Sequence, residues 1–240
     1  VPSYRPLPSS FYRRETAVVA RELLGCRLIR KLPGRQPRSV VIVETEAYLG
    51  ERDRAAHTWN GRRTPRVAPM WGPGGYAYVY FVYGMHFCLN VVTGREGVPE
   101  AVLLRAAVSE EWWEEWEREK RKKRISLKVN RARRSGSLLR AGIGRAAGAR
   151  GAFPSSLSNQ IFLYSGPAKL CAHLEITAAL SGASLSGPEL LISRGPRARF
   201  DVLIGPRVGV DYAGEAAAWP LRFAVAGCPA VTRRSLLAPP

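Results

Sequence analysis

Two glutamates stand two residues apart in RSVVIVETEAYLG, residues 38–50, with a tyrosine two positions further on. Side chains alternate along an extended chain, so Glu44, Glu46 and Tyr48 share one face and Val43, Thr45 and Ala47 the other. Carboxylates do not help to pack a core. Two readings follow: a solvated or arginine-paired face, or a general base at Glu46 where the strand gives way to a loop. That loop contains His57, within RAAHTWNGRRTPR, and a cluster of cations at Arg54, Arg62, Arg63 and Arg66 suited to phosphate contacts. A lone loop histidine is either simply exposed or part of a site. His57, His86 and His173 lack the spacing of metal ligands, and no metal is expected.

The ribbon YAYVYFVYGMHFCLNVV, residues 76–92, carries four tyrosines and no Lys, Arg, Asp or Glu. Alternation puts Tyr76, Tyr78, Tyr80 and Val82 on one face, and Ala77, Val79, Phe81 and Tyr83 on the other. Gly84 permits a tight turn, making a hairpin with Tyr83 at its tip. Most of these aromatics read as sheet packing. Tyr83 does not, because a large aromatic on a turn invites a partner. Asn90 in an apolar strand needs hydrogen-bond partners if buried, and Arg105 in AVLLRAAV needs a nearby acid or anion.

These positions require strands at about 39–49, 76–92 and 101–108. SFYRRETAVVARELLG, residues 10–25, has helical apolar spacing, with Ser10 as its cap candidate and Gly25 at its end. Residues 50–75 lack periodicity and read as a long surface loop. SEEWWEEWEREKRKKR runs from acidic to basic, complementing a helix dipole, with i, i+4 pairs Glu114–Arg118, Glu117–Arg121 and Glu119–Lys123. Residues 118–150 hold thirteen Lys/Arg and one acid, Glu119, and the tract from about 126 to 160 is expected to be largely disordered. Within it, GIGRAA lacks the preceding strand and following acid of a dinucleotide site. Ser165 is expected to cap a helix beginning near Pro167, and ELLISRGP, RVGVDYAG and LRFAVAG to form short strands. The absence of a βαβ rhythm favours an α+β domain: a curved, largely antiparallel sheet, flanking helices and a protruding hairpin.

The chain has 240 residues, 46% of them hydrophobic, enough for one domain, or at most two, with a sizeable core. Its 37 Lys and Arg against 19 Asp and Glu give a net charge of +18, which argues for a polyanionic partner, nucleic acid first. No apolar run is long enough to span a membrane, and VPSYRPLPSSFYRRE lacks the architecture of a secretory signal. Cys26, Cys88, Cys171 and Cys228 form no CxxC pair; the even count allows two disulfides, but buried free thiols in a reducing, intracellular compartment are the expectation.

VETEAYLG, AAHTWNGRRTPR, YVYFVYGMHFCLNV, AVLLRA, SGPAKLC, RVGV and PLRF occur in one order. Together they closely resemble the alkyladenine (3-methyladenine) DNA glycosylase family, over about 10–108 and 161–227. The resemblance implies one glycosylase domain over 1–240; residues 109–160 have no clear counterpart in it, and their composition alone makes 118–160 a basic, flexible insertion. It implies a monomer that acts on duplex DNA containing damaged purines, without cofactor or metal, in the nucleoid or cytoplasm of a bacterium or the nucleus or an organelle of a eukaryote. Glu46 looks like the base that activates water, with Arg105 near it. Tyr48, His57 and Tyr80 look like walls of a flipped-base pocket, Asn90 like the residue that excludes guanine, and Tyr83 like the side chain inserted into DNA. Arg62, Arg66, Met85 and Lys169 are expected at the DNA backbone. One departure from the familiar pattern is Asp211-Tyr212 after RVGV, at the pocket's far edge. The competing reading is a non-catalytic DNA- or RNA-binding protein using the ribbon and the basic segment.

Overall fold

The computed structural model describes residues 4–135, 163–196 and 198–240. Two short helices, α1 (Ser9–Tyr12) and α2 (Thr16–Glu22), stand where one was expected. Tertiary bonds break them apart: Arg14 turns back onto Phe11 O and grips Glu22, and Thr16 gives its hydroxyl to Glu100 at 2.5 Å. The first helix starts after Pro8 with no side-chain cap, so Ser10 does not cap it.

The sheet is built from β1 (Arg27–Arg30), β2 (Arg38–Tyr48), β3 (Ala77–Val82), β4 (His86–Thr93), β5 (Glu100–Ser109), β6 (Leu163–Ser165), β7 (Leu190–Ser193), β8 (Val202–Gly205) and β9 (Arg222–Val225). Every pairing is antiparallel, in the order β3-β4-β5-β2-β1-β7, with β6 on β5 and β8-β9 branching from β2. The eleven-residue β2 is the spine. Along one edge it pairs with β5; β1 pairs with it over 38–41 and β9 over 44–46. Register shifts around Glu44 leave Val43 and Arg105 without opposite numbers, which bends the strands and re-aims both side chains. The sheet curls accordingly, as the α+β expectation required.

The long helix α3 (Glu110–Ser135) sits against the sheet by Trp112, Trp113 and Trp116, all buried. It carries the charge pairs Glu115–Arg118 and Glu119–Lys122, spaced i, i+3 rather than the i, i+4 of the pairs read from sequence. It extends through residue 135, into the tract expected to be disordered. The rest of that tract, including GIGRAA, lies outside the described residues. Helix α4 (Pro167–His173) is entered through Gly166, with φ of +97°, while Ser165 belongs to β6 and caps nothing.

Two further expectations fail. RVGVDYAG is not a strand: Gly209, at φ of +75°, breaks the extension, and Asp211–Ala218 forms 3-10 turns kinked at Gly214. The strand lies just upstream, at β8. Residues 50–75 are not purely surface, for Asp53, Thr58, Val67 and Met70 are buried around 3-10 turns at Gly50–Arg52, Trp59–Gly61 and Pro65–Trp71. All four cysteines are buried and free.

Candidate active site

Glu44 and Glu46 both lie fully buried on β2, which removes the solvated-face reading. Each is held by arginine, and the two are held differently. Glu44 accepts from Arg105 Nε at 2.9 Å, Arg222 Nε at 2.8 Å, Thr232 N at 3.0 Å and Thr232 Oγ1 at 3.0 Å. Its lone pairs are spent on fixing neighbours.

Glu46 accepts from Val208 N at 2.7 Å through Oε1, and from Tyr48 Oη at 2.9 Å and Arg105 Nη1 at 3.4 Å through Oε2. Burial pushes its carboxyl above the usual range, opposed by Arg105, the Val208 amide and Tyr48, and reinforced by the charge of Glu44. A basic carboxylate, kept ionisable by positioned donors, suits proton abstraction from water. Tyr48 Oη is held in its protonated, donating form because burial, then Glu46, raises its pKa far above the ordinary phenol value.

Aromatic rings gather beside this carboxylate. Tyr80 and Cys88 of the hairpin both sense the charge of Glu46, and burial raises the pKa of each. The His57 ring meets Tyr80 edge-on at 4.6 Å, and Tyr78 lies 5.4 Å from Tyr80. His57 Nδ1 and Tyr78 Oη share a hydrogen bond of 2.8 Å. Burial, with Arg66 and Arg62 nearby, lowers the His57 pKa to about 4, so its imidazole is neutral at pH 7. Asn90, buried in β4, donates Nδ2 to Tyr78 O at 3.1 Å across the hairpin. The expected pocket residues Glu46, Arg105, Tyr48, His57, Tyr80 and Asn90 therefore share one region.

Next to it opens a cavity of about 230 Å³ lined by Arg54, Ala56, His57, Trp59, Arg62 and Tyr212. Tyr212, from the departing Asp-Tyr pair, is largely exposed there. Guanidiniums lie over aromatic faces around this rim: Arg54 on Trp59 at 5.3 Å, Arg63 on Trp71 at 3.7 Å and Arg66 on Tyr80 at 5.4 Å. Such stacking holds a cation in place while leaving donors free for anions.

Tyr83 is the most exposed large apolar side chain among the described residues, at 91%. It sits at the hairpin turn with φ of +52°, followed by Gly84 at +67° and closed by Met85 N to Val82 O at 3.2 Å. Positive φ at both central positions matches a primed turn, whose first position normally goes to Asn, Asp or Gly. A tyrosine there is strained by about 1–2 kcal/mol and exposed, a pairing that marks function more often than packing. Arg62, Arg66, Met85 and Lys169 are exposed, Lys169 on α4 and the others around the loop and hairpin tip.

Comparison with known proteins fits this geometry. A family model described as methylpurine-DNA glycosylase matches residues 10–229. The chain belongs to the methylpurine-DNA glycosylase family. Members are hydrolases of N-glycosyl bonds, which makes this chain an enzyme of DNA repair. A protein of Desulfitobacterium hafniense, provisionally named a 3-methyladenine DNA glycosylase, is 41% identical over 217 residues, covering 90% of this chain and 93% of its own. Proteins with the same provisional name from Clostridium acetobutylicum and Methanocella arvoryzae are each 39% identical, over 217 and 230 residues. They cover 90% and 95% of this chain and 92% and 96% of their own.

Sequence reasoning missed several residues of this candidate site. Tyr78 was assigned to packing, yet it bonds His57 and Asn90. Arg222 and Thr232 complete the shell of Glu44, while Asp53 and Arg207 form a fully buried ion pair under Tyr48. For Arg222, Asp53 and Arg207 the only signal is charge inside or beside apolar segments, and Tyr78 and Thr232 carry none. Among the described residues, no three His, Cys, Asp or Glu side chains converge as a metal site requires, and no helix is long and apolar enough to cross a membrane.

Proposed function

We propose that this glycosylase flips alkylated and deaminated purines out of duplex DNA and hydrolyses the N-glycosidic bond with water, leaving an abasic site. The observation that carries this reading is Glu46: a fully buried carboxylate, raised in pKa, oriented by three donors and set beside an aromatic pocket.

Glycosidic cleavage builds positive charge on the sugar, which a nearby carboxylate stabilises while it deprotonates the attacking water. Arg105 orients that carboxylate. Tyr48, Tyr80 and His57 stack on and edge the flipped base, and a cationic N-alkylpurine gains about 0.5–2 kcal/mol of cation–π attraction over a neutral base. Arg66 already rests a cation against the Tyr80 ring. The Asn90 amide, fixed by its bond to Tyr78, excludes guanine through its 2-amino group. Tyr83 fills the space the nucleotide vacates, offsetting an unstacking cost of a few kcal/mol that is least for damaged bases. Arg62, Arg66, Met85 and Lys169 hold the backbone, the cations making affinity dependent on salt. The protein acts as a monomer inside the cell, on double-stranded DNA, without cofactor or membrane. Water is the nucleophile, so the strand is not nicked.

The test is a labelled duplex containing one methylated, deaminated or etheno purine, incubated with the protein and then treated with alkali. Strand cleavage only after alkali is expected. An intact strand across the whole panel would favour a protein that binds DNA without acting on it, and cleavage before alkali would contradict water attack.

A further inference from the structure

The methylated-purine chemistry proposed above leaves one buried ion pair unused. Arg207 and Asp53 are fully buried, and each binds more than the other. Arg207 Nη1 donates to Ala47 O at 2.9 Å and to Asp53 Oδ2, while Nη2 donates to Asp53 Oδ1 at 2.9 Å and Ala216 O at 3.0 Å. Asp53 also accepts from Leu49 N at 2.9 Å and Ala55 N at 3.0 Å. The pair thereby ties together the end of β2, the start of the loop that carries His57, and the 3-10 segment that carries Tyr212. The guanidinium carbon lies 4.7 Å from the centre of the Tyr48 ring. The next residue in the chain, Val208, supplies the shortest hydrogen bond that Glu46 receives.

From this geometry we infer that Arg207, clamped by Asp53, is a positioning residue for the reaction: it aims the Val208 amide at Glu46 and seats the Tyr48 ring. A purely structural ion pair would not need to hold both a wall of the pocket and the donor on Glu46. Arginine is required because a planar fork can satisfy Asp53 and two carbonyls at once, whereas lysine presents one compact charge.

The consequence is readable in the pH dependence of base release. The groups that face Glu46 are Glu44 and Tyr48 on its own strand, Arg105 on β5, Tyr80 and Cys88 on the hairpin, and the Val208 amide. In Arg207→Lys the Val208 amide and the Tyr48 hydroxyl, both donors to Glu46, lose the group that aims them. Losing a donor to a carboxylate raises its pKa, so the acidic limb of the rate profile moves up by about one pH unit. Below that limb, release falls roughly tenfold relative to the parent at the same pH.

The experiment rests on the proposed function and separates its failure from that of the clamp. Full-length parent, Arg207→Lys and Asp53→Asn are compared for single-turnover release of labelled methylpurine from alkylated duplex DNA between pH 5 and 8.5, with folding followed by circular dichroism. A parent without release contradicts the proposed function and the clamp with it. An active parent, with either folded variant shifted upward in its acidic limb and little changed in DNA affinity, supports the clamp. Folded variants whose profiles superimpose on the parent's, or two variants that both fail to fold, assign the pair to stability alone and overturn the inference.

Discussion

Replacing Glu44 by Gln keeps its shape but removes the charge that two buried arginines share. Arg105 and Arg222 both place Nε on Glu44 Oε1, at 2.9 and 2.8 Å, and Arg222 has no other carboxylate within ion-pair distance among the described residues. Breaking a buried ion pair from one side costs about 3–5 kcal/mol, because the remaining charge stays desolvated. In a domain of this size each kcal/mol lowers Tm by about 2–4 °C, so a fall of roughly 6–20 °C is expected. The effect on Glu46 has the opposite character. Glu44 is one of the groups that raise the pKa of Glu46, and its neutralisation lowers that pKa. Activity that needs ionised Glu46 is lost as pH falls through its pKa, so the acidic limb moves to lower pH. Urea denaturation measures the first effect and single-turnover base release between pH 5 and 8 the second. A stability loss below 1 kcal/mol, or an acidic limb that stays in place or rises, would refute the proposed division between a structural Glu44 and a reactive Glu46.

Other expectations follow from the same contacts. The His57 pKa is about 4 in the fold against 6.5 unfolded, so its contribution to stability is complete above pH 6.5 and declines as pH falls toward 4. The loss is at most about 3 kcal/mol, less the part screened at its exposed edge; His57→Gln should flatten that slope in denaturation curves recorded across the interval, and an unchanged slope would place the titration elsewhere. Tyr83→Asn relieves the left-handed backbone at the turn and should stabilise the fold by about 1 kcal/mol. Gel-shift titrations of the same variant should show weaker binding to lesion-bearing duplex with little change on undamaged duplex, and equal losses on both would return Tyr83 to a general contact.

How far the sequence reveals this arrangement depends on whether its signals are local. Alternation on β2, the hairpin with Tyr83 at its tip and the β5 strand are visible because strand period and turn residues act over a few positions. Glu46, Tyr48 and Arg105 stand out for the same reason, as polar groups set among apolar ones. The bulge that turns Arg105 toward both glutamates leaves no local mark, since it belongs to the pairing of two strands whose ion-paired residues, Glu44 and Arg105, lie 61 positions apart. The Asp53–Arg207 pair joins residues 154 positions apart, and each alone resembles an ordinary loop charge. RVGVDYAG carries strand propensity, yet its backbone is diverted to serve Glu46 and to bury Arg207, so tertiary demands override the local preference. The broken first helix has the same cause in Arg14 and Thr16.

The most direct test of the central assignment is Glu46→Gln, an isosteric change that leaves Tyr48, Arg105 and the Val208 amide with a neutral partner. Single-turnover release of labelled base from a methylated duplex, measured beside the affinity for that duplex, should show binding kept within a fewfold and release reduced by at least 100-fold, in line with removal of a general base. Release at the parent rate by a folded Glu46→Gln enzyme would contradict the account.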